Sequence, residues 1–228
     1  MLVAEREYQT DETLPAFAKQ HLDDYRLTFV FADPKDANHL IGIDAIKSAD
    51  VLVVSVRRRT LPKDQLDLVR DYVSSGKPVV GIRTASHAFC LRNKQPPEGR
   101  AAWPEFDQQV FGGNYSNHYG NAFKAIVTRA DAGAKKHTTL LRGLESCKPF
   151  LAGGSLYQVS PLASGTSVLL TGRVEGQPQE PVAWTFQRAD GGKSFYTSLG
   201  HIDDFRGDVL PRLLVNAIAW SLESGSPK

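Results

Sequence analysis

Two segments of this 228-residue chain place proton-moving and anion-holding side chains directly after an apolar run. In the first, Val79, Val80 and Ile82 give way to a guanidinium (Arg83), two hydroxyls (Thr84, Ser86) and an imidazole (His87) within five residues. Free backbone N–H groups at the start of a helix there would favour an anion or oxyanion. Thr84 or Ser86 could equally serve as that helix's cap. In the second, the run around Phe195 to Leu199 ends at Gly200 and is followed by His201, Asp203 and Asp204. An imidazole with a carboxylate two residues on can be oriented and made more basic, as acid/base catalysis requires. The same aspartates also suit the first turn of a helix.

A third segment, Gly112 to Asn121, combines amides with Tyr115 and His118. Polar side chains beside aromatic faces fit a sugar-like ligand, offering hydroxyl partners and a stacking surface. Glu7 and Tyr8, and Arg57 and Arg59, follow two further apolar runs and could line the same crevice, or be solvated loop charges. His87, His118 and His201 lack the close spacing of a metal site, so neither metal nor cofactor is expected.

These residues need a frame, and the first half of the chain supplies strand and helix in alternation. Strands are predicted over Leu2–Ala4, Leu27–Phe31, Asp50–Val56 and Pro78–Ile82. Helices are predicted from Leu14 to about Leu22 with Thr13 as cap, over Leu40–Ile46, and over Pro62–Ser75, which Gly76 ends. Such alternation implies βαβ units around a parallel sheet, where ligands bind beyond the carboxyl ends of the strands. Leu91 to Asn121 reads as a long loop with a short helical stretch at Pro104–Phe111, a length that usually signals function. Strands follow at Phe123–Val127, Leu156–Val159, Thr166–Val174, Pro181–Gln187 and Ser194–Leu199, then a helix over Val209–Leu222. Residues 1–223 read as one domain, with 224–228 as a disordered tail.

Composition removes several function classes. A net charge of +2 from 27 basic and 25 acidic residues gives no case for nucleic-acid or membrane partners. No run approaches the ~18 apolar residues of a membrane span, and the N-terminus lacks signal-peptide regions, so a cytoplasmic protein is expected. Met1–Ala4 reads like the tail of a first strand, so the natural chain could begin further upstream. Cys90 and Cys147 are too few for a disulfide framework. The expected partner is a small carbohydrate-like molecule; a homo-oligomer stays open.

The order of these pieces resembles the ThuA-like (trehalose-utilisation) family of the class I glutamine amidotransferase-like superfamily. The resemblance rests on Glu5–Pro15, Gly76–Phe89, Gly112–His118 and Tyr196–Phe205. It implies a flavodoxin-like three-layer α/β/α sandwich and a role in trehalose or keto-sugar metabolism. Amidotransferases are similar at Gly81–His87, which matches their Gly-Ile-Cys-x-Gly-His elbow, and at His201-Ile202-Asp203, which matches their His-Pro-Glu element. Here Arg83, or Thr84 in a shifted register, stands where the cysteine would be. Neither forms the thiolate that glutamine hydrolysis needs. The resemblance therefore implies a carbohydrate enzyme using His201, Asp203, Arg83 and His87, with Glu7, Tyr8, Arg57, Thr84, Ser86, Tyr115 and His118 around the ligand. The alternatives are a non-catalytic sugar-binding or interaction module and a hydrolase using Ser86 or Thr84.

Overall fold

A computed structural model of the chain describes residues 1–130 and 137–223; the tail 224–228, expected to be disordered, lies outside the described residues. The strands are β1 (Leu2–Ala4), β2 (Phe29–Asp33), β3 (Asp36–Ile41), β4 (Leu52–Val54), β5 (Leu61–Pro62), β6 (Val79–Ile82), β7 (Arg100–Ala101), β8 (Asn117–His118), β9 (Ile126–Arg129), β10 (Phe150–Leu151), β11 (Tyr157–Gln158), β12 (Thr166–Arg173), β13 (Glu180–Gln187) and β14 (Lys193–Thr197). The helices are α1 (Thr10–His21), α2 (Lys63–Ser74), α3 (Ile202–Arg206) and α4 (Val209–Leu222). Ten strands form one sheet in the order β10-β9-β12-β13-β14-β6-β4-β1-β2-β3. Its centre, β14-β6-β4-β1-β2, is parallel, and both flanks are antiparallel.

The expected three layers follow from the two-residue period of the strands. Leu2, Ala4, Val53, Val80, Ile82 and Phe195 point to one core, shared with α1 and α4. Val3, Leu52, Val54, Val79 and Tyr196 point to the other, shared with α2. Strands buried on both faces need the near-continuous apolar runs seen in the sequence.

Local chemistry moves several boundaries. The helix expected at Leu40–Ile46 is replaced by the end of β3 and a 3₁₀ turn at Ile43–Ser48. Asp33 and Asp36 accept the backbone N–H groups of Lys35 and Asn38, which turns the chain into a β2–β3 hairpin. Helix α1 begins at Thr10, four residues before the predicted start, and the Thr13 hydroxyl donates back to the Gln9 carbonyl at 3.0 Å. The strand expected at Phe123–Val127 lies three residues later, as β9. The one expected at Leu156–Val159 shrinks to β11, paired with β8 in a ribbon outside the main sheet.

Arg188 ties the far ends of this frame together. Its guanidinium is buried and donates to the carbonyls of Val73, Lys77 and Lys193, to Ser194 Oγ and to Asp190. One side chain thereby joins the end of α2 and the entry to β6 to the β13–β14 hairpin. Removing it leaves buried carbonyls without donors. Arg188→Ala is expected to cost about 3 kcal/mol in a urea unfolding series; a loss under 0.5 kcal/mol would contradict this role.

Candidate functional site

The carboxyl ends of β1, β4, β6 and β14 meet along one edge, and the predicted residues lie there. Arg83 directly follows β6 with φ +44°, in the left-handed region that a non-glycine residue rarely adopts. Arg83, not Thr84, therefore occupies the tip of the elbow. Its carbonyl is pinned by the Tyr196 hydroxyl at 2.6 Å and the Ser86 hydroxyl at 3.3 Å. Gly200 lets the β14 turn pass close by, since a Cβ there would stand 2.6 Å from Ile82 Cγ2.

The Arg83 guanidinium runs inward and is only 2% exposed. It lies over the Tyr8 ring at 4.4 Å and the Tyr157 ring at 4.7 Å. Nη1 donates to Ser198 O at 2.7 Å and faces Ser155 O at 3.5 Å; Nη2 donates to the Tyr8 and Ser155 hydroxyls at 3.3 Å. A Cβ on Gly154 would land on the guanidinium, so that position must be glycine. Both Nη atoms serve protein acceptors, which fits Arg83 for holding the site's walls rather than gripping a substrate oxygen.

Around this cation five side chains form a continuous ladder. His201 meets Tyr8 edge-on at 5.9 Å; Tyr8 and Tyr157 sandwich Arg83; Tyr157 meets Tyr115 at 4.7 Å; Tyr115 stacks on His87 at 4.4 Å. Tyr157 escaped the sequence reading. The available signal was the preceding Gly153-Gly154, which admits another side chain against the backbone. His118 joins through the backbone, paired with Tyr157 across β8–β11, and its Nδ1 accepts the Gly120 N–H at 3.0 Å. Partial burial, then the Arg83 charge, lowers its pKa. Glu7 and Arg57 form a half-exposed ion pair of 3.7 Å at the rim. Thr84 is buried with no partner for its hydroxyl among the described residues.

At the second motif the two aspartates divide the work. Asp204 accepts the N–H groups of Gly153 (2.6 Å), Gly200 (2.9 Å) and His201 (3.0 Å), locking the turn. His201 Nδ1 accepts the Asp203 N–H at 3.2 Å and lies 3.3 Å from the Asp203 carboxylate. These two contacts exclude one another: Nδ1 accepts from the backbone when bare and donates to the carboxylate when protonated.

Two other buried polar groups on this edge, Glu5 and Ser55 at the ends of β1 and β4, escaped the sequence reading. With Arg59, which the sequence had already placed beside the crevice, they join Arg83 and Thr84 in having buried polar atoms without hydrogen-bond partners among the described residues. Glu5 Oε2 is 2.7 Å from Arg59 Nη2, an ion pair set off the hydrogen-bond direction. Buried polar atoms are normally satisfied, so their clustering here sets this edge apart from the rest of the described residues. Among the described residues no three His, Cys, Asp or Glu side chains gather as metal ligands would. No helix among them is long and apolar enough to cross a membrane.

The sequence model of the ThuA family, described as trehalose utilisation, matches residues 2–221. The chain belongs to the ThuA family. Among solved structures it is similar to a ThuA-like protein of Bacteroides uniformis (19% identity, 96% of this chain and 89% of that one, TM-score 0.67). Another ThuA-like protein, from Parabacteroides merdae, shares 14% identity over 96% and 88% of the two chains, with a TM-score of 0.63. A cytoplasmic protein of Salmonella typhimurium shares 12% identity over 92% and 85%, with a TM-score of 0.56. At these identities the likeness is one of fold. No curated protein matches the chain at a significant level. In this ThuA member an arginine occupies the tip of the turn after β6.

Burial raises the Glu5 carboxyl to about 8, against the opposing pull of Arg59. A carboxyl whose native pKa is raised keeps its proton in the folded state and loses it in the unfolded chain between pH ~4.5 and 8. Stability from this group therefore falls as pH rises through that window. Glu5→Gln is expected to flatten the fall relative to the unsubstituted chain, read as thermal midpoints at pH 5, 6.5 and 8. Parallel profiles for the two proteins would contradict it.

Proposed function

We propose that the chain is a carbohydrate-processing enzyme in which His201 moves a proton and the Tyr8–Tyr115–His118 wall holds a sugar-like ligand. The observation that carries this reading is the His201 imidazole. It is 29% exposed at the mouth of the crevice, with Nδ1 placed to exchange one Asp203 partner for the other as its protonation changes. A protonated ring, held by the Asp203 carboxylate, can give up its Nε2 proton to a ligand and take it back. Arg83 is then a positioning residue: its charge sits at the elbow while Tyr8, Ser155 and Ser198 hold it in place. Family membership in trehalose utilisation supports the carbohydrate class. The absence of a thiol at the elbow speaks against glutamine hydrolysis.

The test is turnover of 3-keto-glucosides and their parent glucosides. General acid/base catalysis contributes about 10²–10⁴-fold, so His201→Ala is expected to lose a factor in that range. Asp203→Asn should lose less and shift the pH profile. Equal rates for the His201→Ala variant and the unsubstituted enzyme would remove His201 from the mechanism.

One further observation favours a second reading, a hydrolase. Ser86 Oγ lies 3.0 Å from His87 Nδ1. Burial first, then Arg58 and other arginines, lowers His87 to about 3, so the ring is neutral with a bare nitrogen but is a weak base, and this reading rests on the distance alone. Labelling of Ser86 by a fluorophosphonate would support this reading; absence of labelling on an active preparation would dismiss it.

A further inference from the structure

The run Arg57-Arg58-Arg59 is not uniform in its contacts. Arg57 pairs with Glu7 and Arg59 with Glu5, whereas the Arg58 guanidinium has no ion pair or hydrogen bond among the described residues. Arg58 takes a left-handed backbone (φ +52°), and its N–H donates to the His87 carbonyl at 2.9 Å. This contact fastens the loop onto the segment after the elbow. Arg92, on the long loop after Cys90, is likewise without a partner for its guanidinium among the described residues. Both arginines line a cleft of about 390 Å³ that Ser86, His87, Asn114 and Tyr115 also line. The cleft thus abuts the end of the aromatic ladder opposite His201.

We propose that Arg58 and Arg92 form an anion subsite for a carboxylate or phosphate group carried by the ligand. The ligand's sugar body rests on the reading above; the anion subsite does not. Two unpaired guanidiniums on one concave surface are the donors that suit planar carboxylates and phosphates. The charges facing them do not cancel. Glu105 lines the cleft but is exposed to solvent. Asp107 is turned inward, accepting the Tyr115 N–H at 2.8 Å. Burial lifts the Asp107 carboxyl to about 7, which reduces its opposing charge. His87 stays neutral, as above, while both arginine charges act on it and on Tyr115. The cleft is therefore cationic, with an aromatic wall and neutral polar groups, whereas the His201 end carries Asp203 and Asp204. A ligand with an acidic end and a neutral reacting end would be oriented along the ladder.

Calorimetric titration at low salt, where such attraction is least screened, tests the subsite. The probes are glucose, glucuronate, glucose 6-phosphate and inorganic phosphate, applied to the unsubstituted protein, Arg58→Gln, Arg92→Gln and the double variant. Both charged sugars are expected to bind about tenfold or more tightly than glucose. Each single substitution should remove about tenfold of that advantage, as for one charge-assisted contact, and leave glucose within twofold. The tighter of the two charged sugars identifies which anion the subsite takes. Arg92→Lys, on an exposed loop, should keep most of the preference and remains informative if Arg58→Gln folds poorly. Charged sugars binding no tighter than glucose, or a preference surviving the double substitution, would overturn the subsite. If no sugar body adds affinity but inorganic phosphate binds and depends on both arginines, the subsite stands and the carbohydrate reading falls.

Discussion

The Arg83 guanidinium is buried at the elbow with no carboxylate bonded to it among the described residues, and the surrounding side chains are arranged around that charge. Removing a cation from water costs several kcal/mol even after relaxation. Here the offset comes from two aromatic faces, Tyr8 and Tyr157, and from the carbonyl of Ser198. Cation–π contacts reach about 2 kcal/mol when desolvated. The backbone bears part of the cost: Arg83 (φ +44°), Tyr8 (φ +56°) and Gln9 (φ +55°) all adopt left-handed conformations. Strain of this kind persists only where surrounding contacts over-determine it. The Tyr196 hydroxyl on the Arg83 carbonyl is one such contact, reaching in from a fully buried strand.

That arrangement shapes the whole edge. The Arg83 side chain fills the space behind the tip, while His201 lies at the rim and keeps contact with solvent. Its turn is held by Asp204 through three backbone N–H groups, including that of Gly153, whose neighbour Gly154 packs against Arg83. The elbow and the His201 turn are thus braced through one shared loop. Displacement of Arg83 would be transmitted to His201 without any direct contact between them.

The ThuA family match and the structural neighbours concern the frame, which in this chain has a parallel centre and antiparallel flanks. Neighbours at 19% identity and below share that frame; the chemistry depends on side chains at the loop tips. On this chain those tips carry an arginine, a ladder of tyrosines and imidazoles, and several buried polar atoms that the fold leaves unpaired.

The sequence alone determined the layered α/β class, the central strands and the edge where the site lies. Apolar period and turn residues are local signals, and an elbow or a Gly-His turn is legible wherever it occurs. It also placed Arg83, His87 and His201 at one edge, because each follows a strand of one sheet. It misjudged Leu40–Ile46, where an Asp-stabilised hairpin overrides helical spacing. It missed Tyr157, Glu5 and Ser55, whose roles depend on what meets them from distant segments. Only the tertiary structure decided that Arg83 points inward between two rings rather than outward to a ligand. It also decided that Asp204 rather than Asp203 locks the turn, and that Arg58 has no ion-pair partner among the described residues while both its neighbours do. The physical reason is that burial and pairing of a charge depend on groups brought together by folding. Arg83 meets Ser198, 115 residues away along the chain, and no local pattern encodes that contact.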